Sequence, residues 1–217
     1  MNFIDLDIKK EYRSFRNDIV KEFYIPLLNL SSKYQRAVGF FSSSALIEIS
    51  KGITGLINNG GTVQLIASPK LSEEDVEAIG KGISLRDEII EKRITESITQ
   101  PQNYYEEERL NLLVNLIAKG ILEIKIAVVE NNNSLGMFHE KLGLLYDDDG
   151  NIIAFSGSMN ESTNAFMHNY ESFDVFKSWE YDRDRVGIKK SAFEAMWNNI
   201  EPNIKVLDFP EASKKKL

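Results

Sequence analysis

The chain has 217 residues, 42% hydrophobic and 27% charged, which suits one globular domain with a substantial core. It has no cysteine and only two histidines, so disulfides and thiolate metal sites are excluded and a histidine-rich metal site is disfavoured. The net charge of −7 argues against a uniformly basic nucleic-acid binder, yet carboxylates cluster at Glu73, Glu74, Asp75 and Glu77 and again at Glu106–Glu108, which leaves room for a basic cleft. No apolar run approaches the ~20 residues that span a bilayer, and no signal-peptide core follows Met1. A cytoplasmic protein with no membrane partner is expected.

In chain order, Ile8, Tyr12, Phe15, Ile19, Phe23 and Tyr24 recur at mostly helical spacing and predict an amphipathic helix ended near Pro26. Ala37–Phe41 reads as a short buried strand. Ser42, Ser43 and Ser44 then offer N-cap hydroxyls to a helix over about 45–58, which Asn59-Gly60-Gly61 stops. Thr62–Ala67 is the next strand, and β-α-β order predicts a parallel pair. Helices over about 73–98 and 103–119 follow as a two-helix insertion, 71–119. Strands are then expected at Leu122–Val129, Phe138–Tyr146, Ile152 onward and Ser172–Phe176. A closing helix covers Arg183–Asn199, and Lys205–Leu217 reads as an uncommitted tail. The fold class is α/β: a mixed sheet flanked by helices on both faces.

The chemistry gathers in Phe138–Asn160. His139 and Lys141 are two residues apart, so strand periodicity puts both on one face. A lone histidine at a strand start is usually just polar; Lys141 beside it and Gly157-Ser158-x-Asn160 closing the next strand favour phosphate handling instead. A neutral imidazole can attack phosphorus, and Glu171 could hold its other ring nitrogen, although Glu171 alone would read as a surface carboxylate. Lys141, Ser158 and Asn160 carry donors for non-bridging oxygens, and Gly157 permits close backbone approach. Helix capping explains Ser158 and Asn160 equally well, and the two roles are compatible at a helix N-terminus. Ser42 and Ser43, where a strand feeds a helix, could line the same cleft or simply cap. Tyr104, Tyr105, Phe41, Phe138 and His168 could stack bases, with core burial the default for aromatics. Asp147–Asn151 lacks the spacing of a calcium loop and reads as a solvated turn. No cofactor or metal is expected.

His139-x-Lys141 with Gly157-Ser158-x-Asn160 resembles the HxK…D…GSxN signature of the phospholipase D superfamily. Glu171 stands where that family has its histidine-orienting carboxylate. One departure is that Tyr146 occupies the usual Asp position and Asp147 comes one residue later. Across most of the chain, Arg36–Leu46, Asn59-Gly60-Gly61, Ser68-Pro69, Phe155–Ser158 and Asn169–Phe173 resemble the phospholipase D-like nuclease domain that begins many bacterial DEAD/DEAH-type helicases of restriction and phage-defence loci. The resemblance implies one such domain over 1–210, with 211–217 leading toward a helicase absent from this chain. It also implies a metal-independent phosphodiesterase that cleaves DNA through a phosphohistidine. Two imidazoles are needed and only one HxK is present, so a homodimer with a composite site is implied; the rival acid within one chain is His168. A non-cleaving nucleic-acid-binding or dimerisation module of a helicase, and a lipid phosphodiesterase, are the alternatives.

Overall fold

The structure, a computed structural model, describes residues 1–39, 53–69, 86–98, 100–101, 103–131, 134–136, 138–158 and 170–210. Its frame is one mixed sheet. The strands run in the order β1 (Glu11–Arg13), β8 (Ser172–Lys177), β7 (Ile152–Gly157), β6 (Leu142–Asp147), β2 (Ser31–Val38), β3 (Thr62–Ala67), β4 (Leu122–Asn131) and β5 (Ser134–Gly136), and β9 (Ile204–Asp208) also pairs with β4. The pairs β2–β3 and β3–β4 are parallel, as β-α-β order requires, and all others are antiparallel.

Alternation along the strands divides the interior in two. Tyr34, Val38, Leu65, Leu145, Phe155 and Phe173 belong to the larger core. That core is covered by α1 (Ile25–Leu28), α2 (53–58), α3 (Arg86–Ser97) and α4 (Tyr104–Ala118), through residues such as Leu27, Leu56, Ile94 and Leu116. Ala37, Leu144, Ala154 and Phe176 face the other way, under α5 (Arg183–Trp197) with its buried Val186, Phe193 and Met196. Helices therefore flank both faces, and α3 and α4 lie within the β3–β4 crossover. Two helices end as their glycines suggest. Gly60 and Gly120 take positive φ (69° and 67°), and Gly61 and Ile121 donate back to Leu56 and Leu116, closing paired 6→1 and 5→2 bonds.

Three expectations are corrected. Residues 8–24 do not form one helix: Glu11–Arg13 is an edge strand, with Tyr12 opposite Phe173. Phe15 turns the chain at φ 65°, and a wide helical stretch, Val20–Tyr24, leads into α1. Buried aromatic contact overrode helical spacing there, since Tyr12, Phe23, Phe155 and Phe173 pack ring to ring across β1, β8 and β7. Pro26 does not end the helix but lies in the first turn of α1, directly after the wide turns of Val20–Tyr24. The supposed tail contains β9, held by a register that pairs Val206 with Ala127.

Candidate active site

Strand directions bring one set of ends together. The C-terminal ends of β1, β2, β3, β4 and β7 meet the starts of β6 and β8 at one edge of the sheet. Gly39, Ser68, Lys141, Ser158, Glu171 and Ser14 are all within one or two residues of those ends. Ligands of α/β sheets collect at such an edge, outside the carboxyl ends of parallel strands.

His139 and Lys141 precede β6 and are not part of it, which corrects the strand expected from Phe138. They nevertheless converge. A Cβ placed on Gly39 would lie 3.4 Å from the Lys141 ammonium and 3.5 Å from His139 Cδ2, ordinary contact distances that put both groups over the end of β2. The Lys141 Nζ donates to the His139 carbonyl at 3.1 Å. The imidazole is exposed, whereas Lys141 is buried. Burial, then the nearby charge of Arg36, pushes the Lys141 ammonium below the ordinary lysine pKa; the carboxylates of Glu171 and Glu140 oppose that shift. Glu171 thus acts electrostatically on the Lys141 ammonium.

Arg36 was not singled out from the sequence, yet it is the largest fully buried side chain among the described residues. It shares a cross-strand row with Gly143 and Phe155. Because Gly143 lacks a side chain, the Phe155 ring leans over it, and a Cβ there would meet Phe155 Cζ at 2.1 Å. The Arg36 guanidinium caps that ring at 5.1 Å from its centroid. A cation is therefore fixed one row beneath Lys141. The available signal was a charged residue on the inward parity of an apolar strand, opposite a glycine.

Ser158 extends the β7–β8 ladder. Its N–H donates to the Ser172 carbonyl at 2.9 Å, and its hydroxyl oxygen accepts from the Ser172 N–H at 3.1 Å. The hydroxyl proton points to the same carbonyl, at 3.4 Å, a long bond that a better acceptor could replace. Gly157 is required by packing: a Cβ there would lie 2.1 Å from the Ser172 carbonyl oxygen. Glu171 is partly buried and its main chain is locked to Ser14, through Ser14 N–H to Glu171 O (3.0 Å) and Glu171 N–H to Ser14 Oγ (2.8 Å). Asn160, Ser42, Ser43, Phe41 and His168 lie outside the described residues.

Phe138 is buried in the α5-side core, while Tyr104 and Tyr105 are exposed on α4. A cavity of about 280 Å³ opens under His139 on the α5 side, walled by Phe138, Val129, Met196, Ala192 and Ile204. Asp147 is buried rather than solvated, at the opposite end of the hairpin. Its carboxylate accepts from the Phe3, Asp149 and Asn151 N–H groups and from the Asn151 side chain, at 2.8–3.1 Å. The shift of this Asp by one residue is therefore remote from the HxK pair. Tyr146, in the usual Asp position, donates to Gln35 Oε1 at 2.6 Å, and burial raises its pKa.

This architecture is the phospholipase D-like α/β fold. Among solved structures, NucT from Helicobacter pylori superposes with a TM-score of 0.52 and 18% identity, covering 92% of this chain and 99% of that one. Nuc from Salmonella typhimurium, described as a phospholipase D family member, gives 0.45 and 12%, covering 87% and 93% respectively. Phosphatidylserine synthase from Haemophilus influenzae gives 0.45 and 16%, covering 90% and 41%. At such identities the NucT likeness establishes fold alone. No protein-family model matches the chain, and no curated protein matches it by sequence. Among the described residues no helix is long and apolar enough to cross a membrane.

Proposed function

We propose that the chain is a metal-independent phosphodiesterase that cleaves DNA through a phosphohistidine on His139, working as a homodimer. The observation that carries this reading is the convergence of the His139 ring and the Lys141 ammonium over Gly39, with the Glu171 carboxylate acting on that ammonium. In the first step the neutral imidazole of one copy attacks phosphorus. A P–N bond forms, the P–O bond to one strand end breaks, and the second copy's His139 protonates the leaving oxygen. In the second step that imidazole removes a proton from water, whose oxygen attacks phosphorus and releases His139. Lys141, Asn160 and the Ser158 hydroxyl carry the charge on the non-bridging oxygens, with Ser158 exchanging its long bond to Ser172 for phosphate. Glu171 orients the imidazole and stabilises its positive charge. Ser42 and Ser43 complete the phosphate-binding edge. Following the sequence resemblance, the chain serves as the nuclease module of a helicase-coupled restriction or phage-defence system.

The test is to incubate the purified protein with plasmid, single-stranded DNA and a chromogenic diester in EDTA, beside His139→Ala. Wild type should turn over diesters in EDTA, and the variant should lose at least about three orders of magnitude of rate. Turnover abolished by EDTA and restored by Mg²⁺ would refute the mechanism. DNA binding with no diester turnover would leave the chain a non-cleaving module.

A further inference from the structure

Phe15 is a bulky residue in the left-handed region, at φ 65°, and its ring is 69% exposed. Such a conformation is unfavourable for a side chain of this kind. The conformation is imposed from both sides. The Arg16 and Asn17 N–H groups donate to the Arg13 carbonyl at 3.2 and 3.0 Å, and the Asn17 side chain accepts from the Arg13 N–H at 3.1 Å. Ser14, immediately before, is tied to the Glu171 main chain in both directions. Tyr170, immediately before Glu171, is 59% exposed, and its ring centroid is 6.3 Å from that of Phe15. The Arg13 guanidinium donates to the Tyr170 hydroxyl at 3.1 Å and pairs with Glu11, while Arg16 is exposed beside them. Two exposed rings and two guanidinium groups thus flank the Ser14–Glu171 bridge at the end of the sheet that carries His139.

We propose that Phe15 and Tyr170 form a stacking platform for an unpaired base of the DNA strand beside the scissile phosphate, with Arg13 and Arg16 meeting the flanking phosphates. A paired base has both faces covered by its neighbours, so two exposed rings select an unpaired one, and the preferred substrate is single-stranded. The platform rests on the reading of the site as a DNA phosphodiesterase and adds to it a strand preference and two binding residues. Because Ser14 and Glu171 are bonded to each other, a base held by the adjacent rings is registered against the carboxylate that orients His139.

The experiment compares an intact oligonucleotide with one of equal length whose residues are abasic, which keeps the phosphates and removes every base face. Binding and cleavage of both are measured for wild type, Phe15→Gly and the Phe15→Gly/Tyr170→Ala double variant. Glycine is chosen because it adopts the positive φ freely and removes the ring without straining the turn. Wild type should hold the intact strand about tenfold more tightly than the abasic one, and the double variant should hold the two alike. Equal affinity in wild type, or discrimination that survives in the double variant, overturns the platform. A double variant that also changes oligomeric state in light scattering overturns it too, since the rings would then belong to an interface. Discrimination by wild type without any cleavage would uphold the platform and sink the nuclease reading; cleavage of both strands without discrimination would do the reverse.

Discussion

At the scale of the residue, Lys141 carries a charge held where burial and Arg36 both oppose it. Between its depressed pKa and the ordinary value of about 10.4, the unfolded chain binds more protons at this site than the folded one, so wild-type stability gains with pH across that window. In Lys141→Met the gain is absent. The melting temperature of wild type minus that of the variant should therefore be constant at neutral pH and rise on the alkaline side; a flat or falling difference would contradict the assigned environment. Diester turnover should move the opposite way, declining at a pH where an ordinary lysine is still charged, because the ammonium needed at phosphate is lost. Gly143 sets the row beneath. Gly143→Ala would drive a methyl into the Phe155 ring and displace the guanidinium stacked on it. A loss of about 2 kcal/mol or more in urea unfolding is expected.

At the scale of the element, the β6–β7 hairpin separates chemistry from architecture. Its open end carries Lys141 and Ser158, while its turn carries Asp147, which ties Phe3 of the N-terminal segment to the sheet. Asp147→Ala leaves buried donors without acceptors and should cost about 3 kcal/mol in urea unfolding. Diester turnover by the molecules that remain folded should be kept, because the turn is at the far end. A folded variant without activity would show that the turn reaches the site. The hairpin was legible in the sequence because HxK, an Asp/Gly turn and GSxN are local and evenly spaced. Arg36 was not, because its role depends on Gly143 and Phe155, which only the sheet register brings beside it. Tyr12 and Phe15 have a spacing that suits a helix, and the pairing that decides otherwise comes from Phe173, far along the chain. β9 is not legible in the sequence, because five residues of weak alternation mean little without β4 to pair with.

At the scale of the whole molecule, the decisive number is one HxK per chain. Phosphohistidine chemistry uses one imidazole as nucleophile and another as acid, and His139 cannot be both in the same step. In the proposed isologous dimer the second comes from an identical copy, and the two imidazoles face each other across the two-fold axis. The rival supplies it from His168 of the same chain. A mixed dimer separates these models better than either single variant does. With two affinity tags, one copy of wild type and one carrying His139→Ala can be co-expressed and the hetero-dimer isolated. If the site is composite, the one wild-type chain has no partner imidazole, and the hetero-dimer should be nearly as inactive as the double His139→Ala dimer. If each chain contains its own acid, the hetero-dimer keeps half the wild-type rate and His168→Ala becomes the inactivating change. A monomer in light scattering that still turns over diesters would rule out the two-fold arrangement directly. The exposed His139 ring is consistent with the composite site, since a nucleophile that must face its counterpart across an axis has to lie at the surface of its own chain.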